Sequence, residues 1–438
     1  SDAALIGGAM GLRESDPEIR EAVALARNRG IETAVSFLPD GLYPQNTALI
    51  TVTDRGGRAT KILGTSVGGG SIVISAVDDV QMNIRPDAYH LIVWSGGPLP
   101  ENLGKGASVQ SGQNGRETVT CFTFTTMPSR ERCEALRSAV GVHRMSVVEP
   151  VLEYGVSLPS EKRYASCEEV CRAAAENRMT VAEVSVEYEA ARSGRSKEAV
   201  RQQMHRHFEQ IRESVQEGEQ GSRMLYGLTS GRDGPRMLQA IQEGRTVSGG
   251  IIPLAVARAV GVMEYNGAMG CIVAAPTAGA CGVMPAVLIP LQRKDKLPDE
   301  VMVECLYVAA GFGQVIAARA SISRAEGGCQ AEVGSASGMA AAALAAARGG
   351  TPKQMAAACA MALQNVMGLV CDPVAGLVEA PCVKRNVMGA VNALSCTDMA
   401  LAGLDGGIPC DEVIDAMGTV GRALPSSLRG TGGGGLAA

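Results

Sequence analysis

Short apolar segments alternate with Gly- and Pro-marked turns over the first third of the chain, and near Tyr164 the pattern changes to long runs of helical spacing. Asp2 caps a predicted helix, AALIGGAMGL, and Pro17 opens a second, PEIREAVALARNRG, which Gly30 stops. Strand-like segments follow: TAVSFLP, TALITVTD, ATKILGTSV and SIVISAVDD, with Asp-Arg-Gly-Gly and Gly68-Gly69-Gly70 as turns. From residue 88 to about 150 the order is strand (YHLIVWS), Gly/Ser/Asn-rich loop, strand (TVTCFTF), helix (SRERCEALRSAV) and strand (HRMSVVEPV).

Beyond Tyr164, SCEEVCRAAAENRMTVAEVSVEYEAARSG and SKEAVRQQMHRHFEQIRESVQEGEQG carry an apolar stripe and a charged face. Later segments, among them PLAVARAVGVMEY, VMVECLYVAAGFGQVIAARASI, SGMAAAALAAARG and PKQMAAACAMALQNVMGLV, are apolar around most of their circumference and belong inside a bundle. The fold class is therefore multidomain, an N-terminal α+β part followed by a large all-α domain. Tyr265–Gln292 has no Asp, Glu, Lys or Arg, yet Asn266, Pro276, Thr277 and Pro285 would leave polar backbone unsatisfied in lipid. That stretch predicts buried helix ends and turns, and no membrane span.

Composition narrows the picture. Hydrophobic residues make up 46% of the 438 but aromatics only 3%, so the cores are built from Ala, Val, Leu, Ile and Met in closely packed helices. A net charge of −5 without a Lys/Arg-rich run argues against nucleic acid or an anionic membrane as partner. Thirteen cysteines, an odd number without framework spacing, suit reduced thiols in a cytoplasm, and no basic-then-apolar leader opens the sequence. GTSVGGG has the glycines of a phosphate or carboxylate cradle but reads as a hairpin or bulge turn; no Walker or GxGxxG pattern accompanies it.

The chemistry concentrates between Glu326 and Asn386. Cys329 follows Gly327-Gly328, Cys371 precedes Asp372-Pro373, and Cys382 follows Pro381. Thiols set in turns can point at one centre while neighbouring N–H groups bond to sulfur, as an iron–sulfur cluster requires. Three thiolates hold a cubane with one iron left open, and an open iron is a Lewis acid. On spacing alone three buried structural thiols remain the alternative, since neither a compact CxxCxxC run nor paired CxxC motifs occur.

EGGCQAEVGSASGMAAAA, GLVCDPVAGLVEAPCVKRN and NGAMGCIVAAPTAGACGVMPAVL resemble the α domain of bacterial iron–sulfur-dependent L-serine dehydratase, from about Arg245 onward. The resemblance implies that Cys329, Cys371 and Cys382 ligate a catalytic 4Fe–4S cluster. It implies a lyase that converts L-serine to pyruvate and ammonia, in cytoplasmic amino-acid degradation that feeds gluconeogenesis. It divides the chain into a partial β domain (1–87), a degenerate ACT-like domain (88–155) whose first helix is replaced by a loop, and the all-helical α domain (156–438). For the ACT-like piece a dimerising or spacer role is expected rather than ligand binding. The Ser-Ser-Ser-His-Thr segment and cysteine-bearing tail of relatives do not occur in this sequence, so the expectation is a homodimer, or a chain complemented by a separate β-type segment.

Expected substrate-side residues are Asn266, Thr277 and Gly279 in the EYNGAMG and APTAGACG motifs, and Lys384 and Arg385 after the third cysteine. Glu326 and Glu332 are candidate bases with a salt-bridged role as the alternative, and no base is assigned; none of the four histidines falls in a matching motif. Asp372 reads as a cap or turn residue, Ser335 and Ser337 as helix caps. Two other functions stay open, a non-catalytic homologue or regulatory subunit and an L-cysteine desulfidase of similar chemistry.

Overall fold

The computed structural model describes residues 2–38, 42–44, 46–68, 70–150 and 164–438. The chain packs as two compact units, one of residues 35–160 with 192–194 and one of 1–34, 161–191 and 195–438. A packing unit and a family segment are different divisions, and the unit borders fall at other positions than the sequence divisions at 87 and 155.

In chain order, α1 (Asp2–Ala9) and α2 (Ala22–Asn28) come first, on the helical unit. The other unit holds β1 (Thr47–Thr53), β2 (Ala59–Gly68), β3 (Ser71–Val77) and β4 (Val80–Ile84) in one antiparallel sheet of order β1-β2-β3-β4. Its second sheet, of order β6-β7-β5-β8, comprises β5 (Tyr89–Ser95), β6 (Ser108–Gln113), β7 (Thr118–Phe124) and β8 (Val142–Val148), with α3 (Arg130–Arg137) between the last two. Alternation along β5 explains the layering. Ile92 and Trp94 join Val77, Val80, Met82 and Ile84 in one core, while Leu91 and Val93 pack with Phe122, Phe124 and Leu136 in the other. The Trp94 indole N–H donates to Asp78 at 2.7 Å, so the buried ring keeps its polar edge satisfied.

Two local expectations fail here. TAVSFLP forms no strand over its described residues, and Phe37 is 99% exposed; β1 is an edge and pairs only with β2, leaving that segment without a ladder. The stretch read as a loop after YHLIVWS contains β6, whose polar sequence (SVQSGQ) suits an edge strand and hides the pairing with β7. The glycine turn after GTSV joins β2 to β3 with Gly68 paired to Ser71, and Gly69 lies outside the described residues.

The helical unit continues with α4 (Cys167–Asn177), α5 (Val181–Ser193), α6 (Lys197–Gln220), α7 (Asp233–Gln242), α8 (Ile252–Gly267) and α9 (Val283–Asp295). Then come α10 (Asp299–Arg319), α11 (Arg324–Cys329), α12 (Ser335–Ala347), α13 (Pro352–Gln364), α14 (Cys382–Leu401) and α15 (Cys410–Ala423). The Ala-rich α12 is the hub, packed on α9, α10, α13 and α14. Small residues make this approach possible: a Cβ added to Gly218 of α6 would lie 2.4 Å from the Gly261 carbonyl carbon of α8. Part of the stretch expected to be turns is helix α9, because Pro285 sits in its first turn, where no N–H is needed, and Pro290 forfeits one bond. By length and composition α10 is apolar enough to cross a membrane, but 67% of its apolar window is buried in the unit, as in a core helix.

Candidate functional site

The three motif cysteines lie at breaks between helices. Gly328 adopts φ +73°, and a Cβ there would lie 2.9 Å from Leu424 Cδ1 and 3.0 Å from the Leu369 carbonyl, so only glycine delivers the turn before Cys329. A π-turn over Gln330–Gly334 then leads into α12. The Gln330 side chain is fully buried and fixes this turn, donating to the Met417 carbonyl at 3.1 Å and accepting from Gly368 N–H at 2.8 Å. Cys371 sits in a short parallel bridge with the C-terminal segment: its N–H donates to Leu428 O at 2.8 Å, and Gly430 N–H donates to its carbonyl at 2.7 Å. Cys382 is the first residue of α14, where the helix dipole favours negative charge on sulfur.

These sulfurs share one neighbourhood. Cys329, Cys371 and Cys382 are exposed by only 1%, 0% and 2%. The Cys329 and Cys371 thiols influence each other's protonation, and the charge of Cys329 acts on Cys382. The influence of Cys371 holds the Cys329 thiol below its ordinary value, and the Arg385 guanidinium adds to that effect. The influence of Cys329 and burial push Cys371 up, while burial pushes Cys382 up to about 12. Arg385 Nη1 lies 3.5 Å from Cys329 Sγ, 2.9 Å from the Val370 carbonyl and 2.7 Å from Asp372 Oδ1. Asp372 in turn accepts the Leu436 N–H at 2.8 Å, so it braces both Arg385 and the C-terminal segment.

The second wall is the APTAGACG loop. Thr277 Oγ1 donates to Glu332 Oε1 at 2.6 Å, and Gly279 presents its bare Cα to the same carboxyl. Asn386, fully buried one turn into α14, donates to the Gly279 carbonyl at 2.8 Å and accepts from Gly282 N–H at 3.0 Å. Asn266 donates to the Ala278 carbonyl at 2.9 Å and so shapes this loop from outside. Lys384 points elsewhere, to Asp233 at 2.8 Å, on an open groove of about 390 Å³ lined also by Arg236, Met237 and Val260. Another open groove, on α6 beside Glu198, Arg201 and His205, is likewise not lined by the three cysteines; the site is defined by its buried groups.

Of the two candidate bases, Glu326 is exposed and accepts from Ser321 Oγ, while Glu332 is buried among the cysteines. Ser337 donates to the Gly389 carbonyl at 2.8 Å rather than capping a helix. Ser335 Oγ is buried without a partner. Three buried carboxyls or amides that organise the region escaped the sequence reading: Asn386, Glu264 and Glu379. Glu264 accepts from Asp233 and Gly234 N–H groups, and Glu379 from those of Tyr226, Leu228 and Thr229. Glu379 alone carries a sequence signal, as a single polar residue in the run GLVEAPC; Glu264 and Asn386 have polar neighbours in VMEYNG and CVKRN that mask them.

Among the described residues no group of three or more His, Cys, Asp or Glu side chains is placed to hold a metal ion. Three buried thiols, one already drawn toward thiolate, and an arginine beside the sulfur suit an anionic sulfur-bridged group.

Fold and donor set together define a helical domain with a thiol-rich interior site. Residues 176–437 match the family model described as serine dehydratase alpha chain, and the chain belongs to that family. A probable L-serine dehydratase alpha chain of Bacillus subtilis is 53% identical over 244 residues, covering 56% of this chain and 81% of that one. The L-serine dehydratase alpha chain of Peptoniphilus asaccharolyticus is 46% identical over 202 residues, covering 46% and 69%. L-serine dehydratase 2 of Escherichia coli is 44% identical over 184 residues, covering 41% of this chain and 40% of its own length.

Proposed function

We propose that this protein is an L-serine dehydratase, a lyase that removes water and then ammonia from L-serine to leave pyruvate, with a 4Fe–4S cluster held by Cys329, Cys371 and Cys382. The observation that supports the reading is the burial of all three motif cysteines, with Arg385 beside Cys329, in a chain of this family. Two obstacles oppose the reaction: the α-proton is weakly acidic and hydroxide is a poor leaving group. A bound cluster with one open iron supplies a Lewis acid toward the β-hydroxyl. The chain's own part is to hold and orient the substrate and to exclude water. Thr277, Gly279 and Arg385 are proposed nearest the substrate; Asn266 shapes the loop, and Lys384 joins only by leaving Asp233. The released enamine hydrolyses to pyruvate and ammonia unaided.

The alpha-chain naming of relatives supports a second, β-type polypeptide or segment as partner, beside or instead of a homodimer. All thirteen cysteines are free, which supports a reducing, cytoplasmic setting and a role in amino-acid breakdown that feeds gluconeogenesis. The test is anaerobic purification with and without a β-type partner, followed by assay of iron, sulfide, visible absorption and pyruvate from L-serine. Brown protein that forms pyruvate is expected; a colourless, iron-free protein that still turns over L-serine overturns the mechanism.

A further inference from the structure

Glu332 is 95% buried by the complement of its 5% exposure, and its one hydrogen bond comes from Thr277 Oγ1 at 2.6 Å. Among the described residues no lysine, arginine or histidine forms an ion pair with it; Arg324 acts on it only at longer range. Its burial makes a charge there expensive. The nearby cation, Arg385, is engaged by Asp372, the Val370 carbonyl and Cys329. The chain nevertheless builds a seat for this carboxyl. A Cβ on Gly279 would stand 2.6 Å from both Glu332 oxygens, so glycine is what leaves them room. A buried acid with a built seat and no counter-cation lacks a partner that a ligand can bring.

We propose that the Glu332 carboxylate receives the ammonium group of the amino-acid substrate. The proposal rests on the L-serine reading and adds to it a polarity: cationic end toward Glu332 and Thr277, hydroxyl and carboxylate toward the cysteines and Arg385. Such an arrangement keeps the substrate carboxylate away from Glu332, and selects amino acids over hydroxy acids, which have nothing to neutralise the buried charge.

Glu332→Gln keeps the shape and the acceptor for Thr277 but removes the charge. The test uses cluster-loaded protein, prepared anaerobically, and three ligands. These are L-serine, α-methyl-L-serine, which lacks the α-proton and cannot react, and 3-hydroxypropanoate, which lacks the ammonium. Calorimetry reads the Kd of the two inert ligands, and steady-state assay reads KM and kcat for L-serine. The expected result is a roughly 10- to 100-fold weaker Kd for α-methyl-L-serine and a similar rise in KM, the scale of one charge-assisted hydrogen bond. Binding of 3-hydroxypropanoate should stay within about twofold. Unchanged KM and Kd with lost kcat would make Glu332 a proton-transfer group and overturn the proposal. Equal weakening of all ligands, or a lowered melting temperature, would make it structural. If the unaltered protein forms no pyruvate from L-serine, the functional reading fails first, and that result is separate from any effect of the variant.

Discussion

The side-chain amide of Asn386 donates to the Gly279 carbonyl over 2.8 Å, tying the first turn of α14 to the loop that carries Thr277. The same side chain accepts the Gly282 N–H at 3.0 Å, so one residue satisfies a buried donor and a buried acceptor of the loop. Asn386→Leu leaves both without partners. The expected cost is roughly 2–6 kcal/mol, from about 1–3 kcal/mol for each of the two orphaned buried groups, and a melting temperature lower by about 3–9 °C. Differential scanning calorimetry checks it; an unshifted melt would mean the loop is held by its packing alone.

Replacing Cys329, Cys371 or Cys382 by serine should each abolish iron content, visible colour and pyruvate formation together. Cys305 is the control. It lies in α10, equally buried, with its thiol raised to about 12 by burial. Cys305→Ala should retain iron and activity and lose only a little stability to a small cavity. Retention of a full complement of iron by any one of the three serine variants would remove that residue from the ligand set.

Most of the helical unit was legible, because apolar runs such as SGMAAAALAAARG admit no exposed face and Asp, Ser, Pro and Gly punctuate the ends. The strands were read where they alternate and missed where they do not: β6 is polar because it is an edge, and TAVSFLP alternates well but has nothing to pair with. The cysteines stood out in the sequence because Gly and Pro flank them. Their supports did not, for a tertiary reason. Asn386, Glu264 and Glu379 work through backbone N–H and carbonyl groups over a hundred, thirty and a hundred and fifty residues away, roughly, and a hydrogen bond to backbone leaves no complementary side chain to notice. Lys384 and Arg385 are adjacent in sequence, yet helical geometry sends them apart, one to Asp233 and the other to Cys329 and Asp372.

Arg385→Gln tests that second direction. Asp372 has a side chain only 4% exposed, and removing its cation strands a carboxylate while Cys329 loses a donor. Breaking such a pair from one side costs on the order of 3 kcal/mol. The variant should melt lower and hold less iron per chain than the parent, and Arg385→Lys should recover the charge without the full set of Nη1 contacts and restore only part of both. Parental melting and iron content in Arg385→Gln would reduce the residue to a bystander.

Stability should also carry a pH signature from Glu264. This carboxyl is fully buried and seats the start of α7 by accepting the N–H groups of Asp233 and Gly234. Burial raises its pKa above the ordinary 4.5, and the two N–H groups and Lys384 lower it by less; Asp233, the other ionisable neighbour, raises it. The folded state thus binds the proton more tightly than the unfolded chain. The resulting stability is fully present below the unfolded value of about 4.3 and is lost as pH rises through the folded value. Glu264→Gln, which keeps the acceptor and never ionises, has no such loss. Asp233, held below its ordinary value by the Lys384 hydrogen bond, stays ionised across this range in both proteins. The melting temperature of the variant minus that of the parent should therefore grow as pH rises from about 4.3, then level off above the folded value. Melts at half-unit steps from pH 4 to 8 measure it, and a difference that stays flat or shrinks with rising pH would show that the N–H groups outweigh burial at this site.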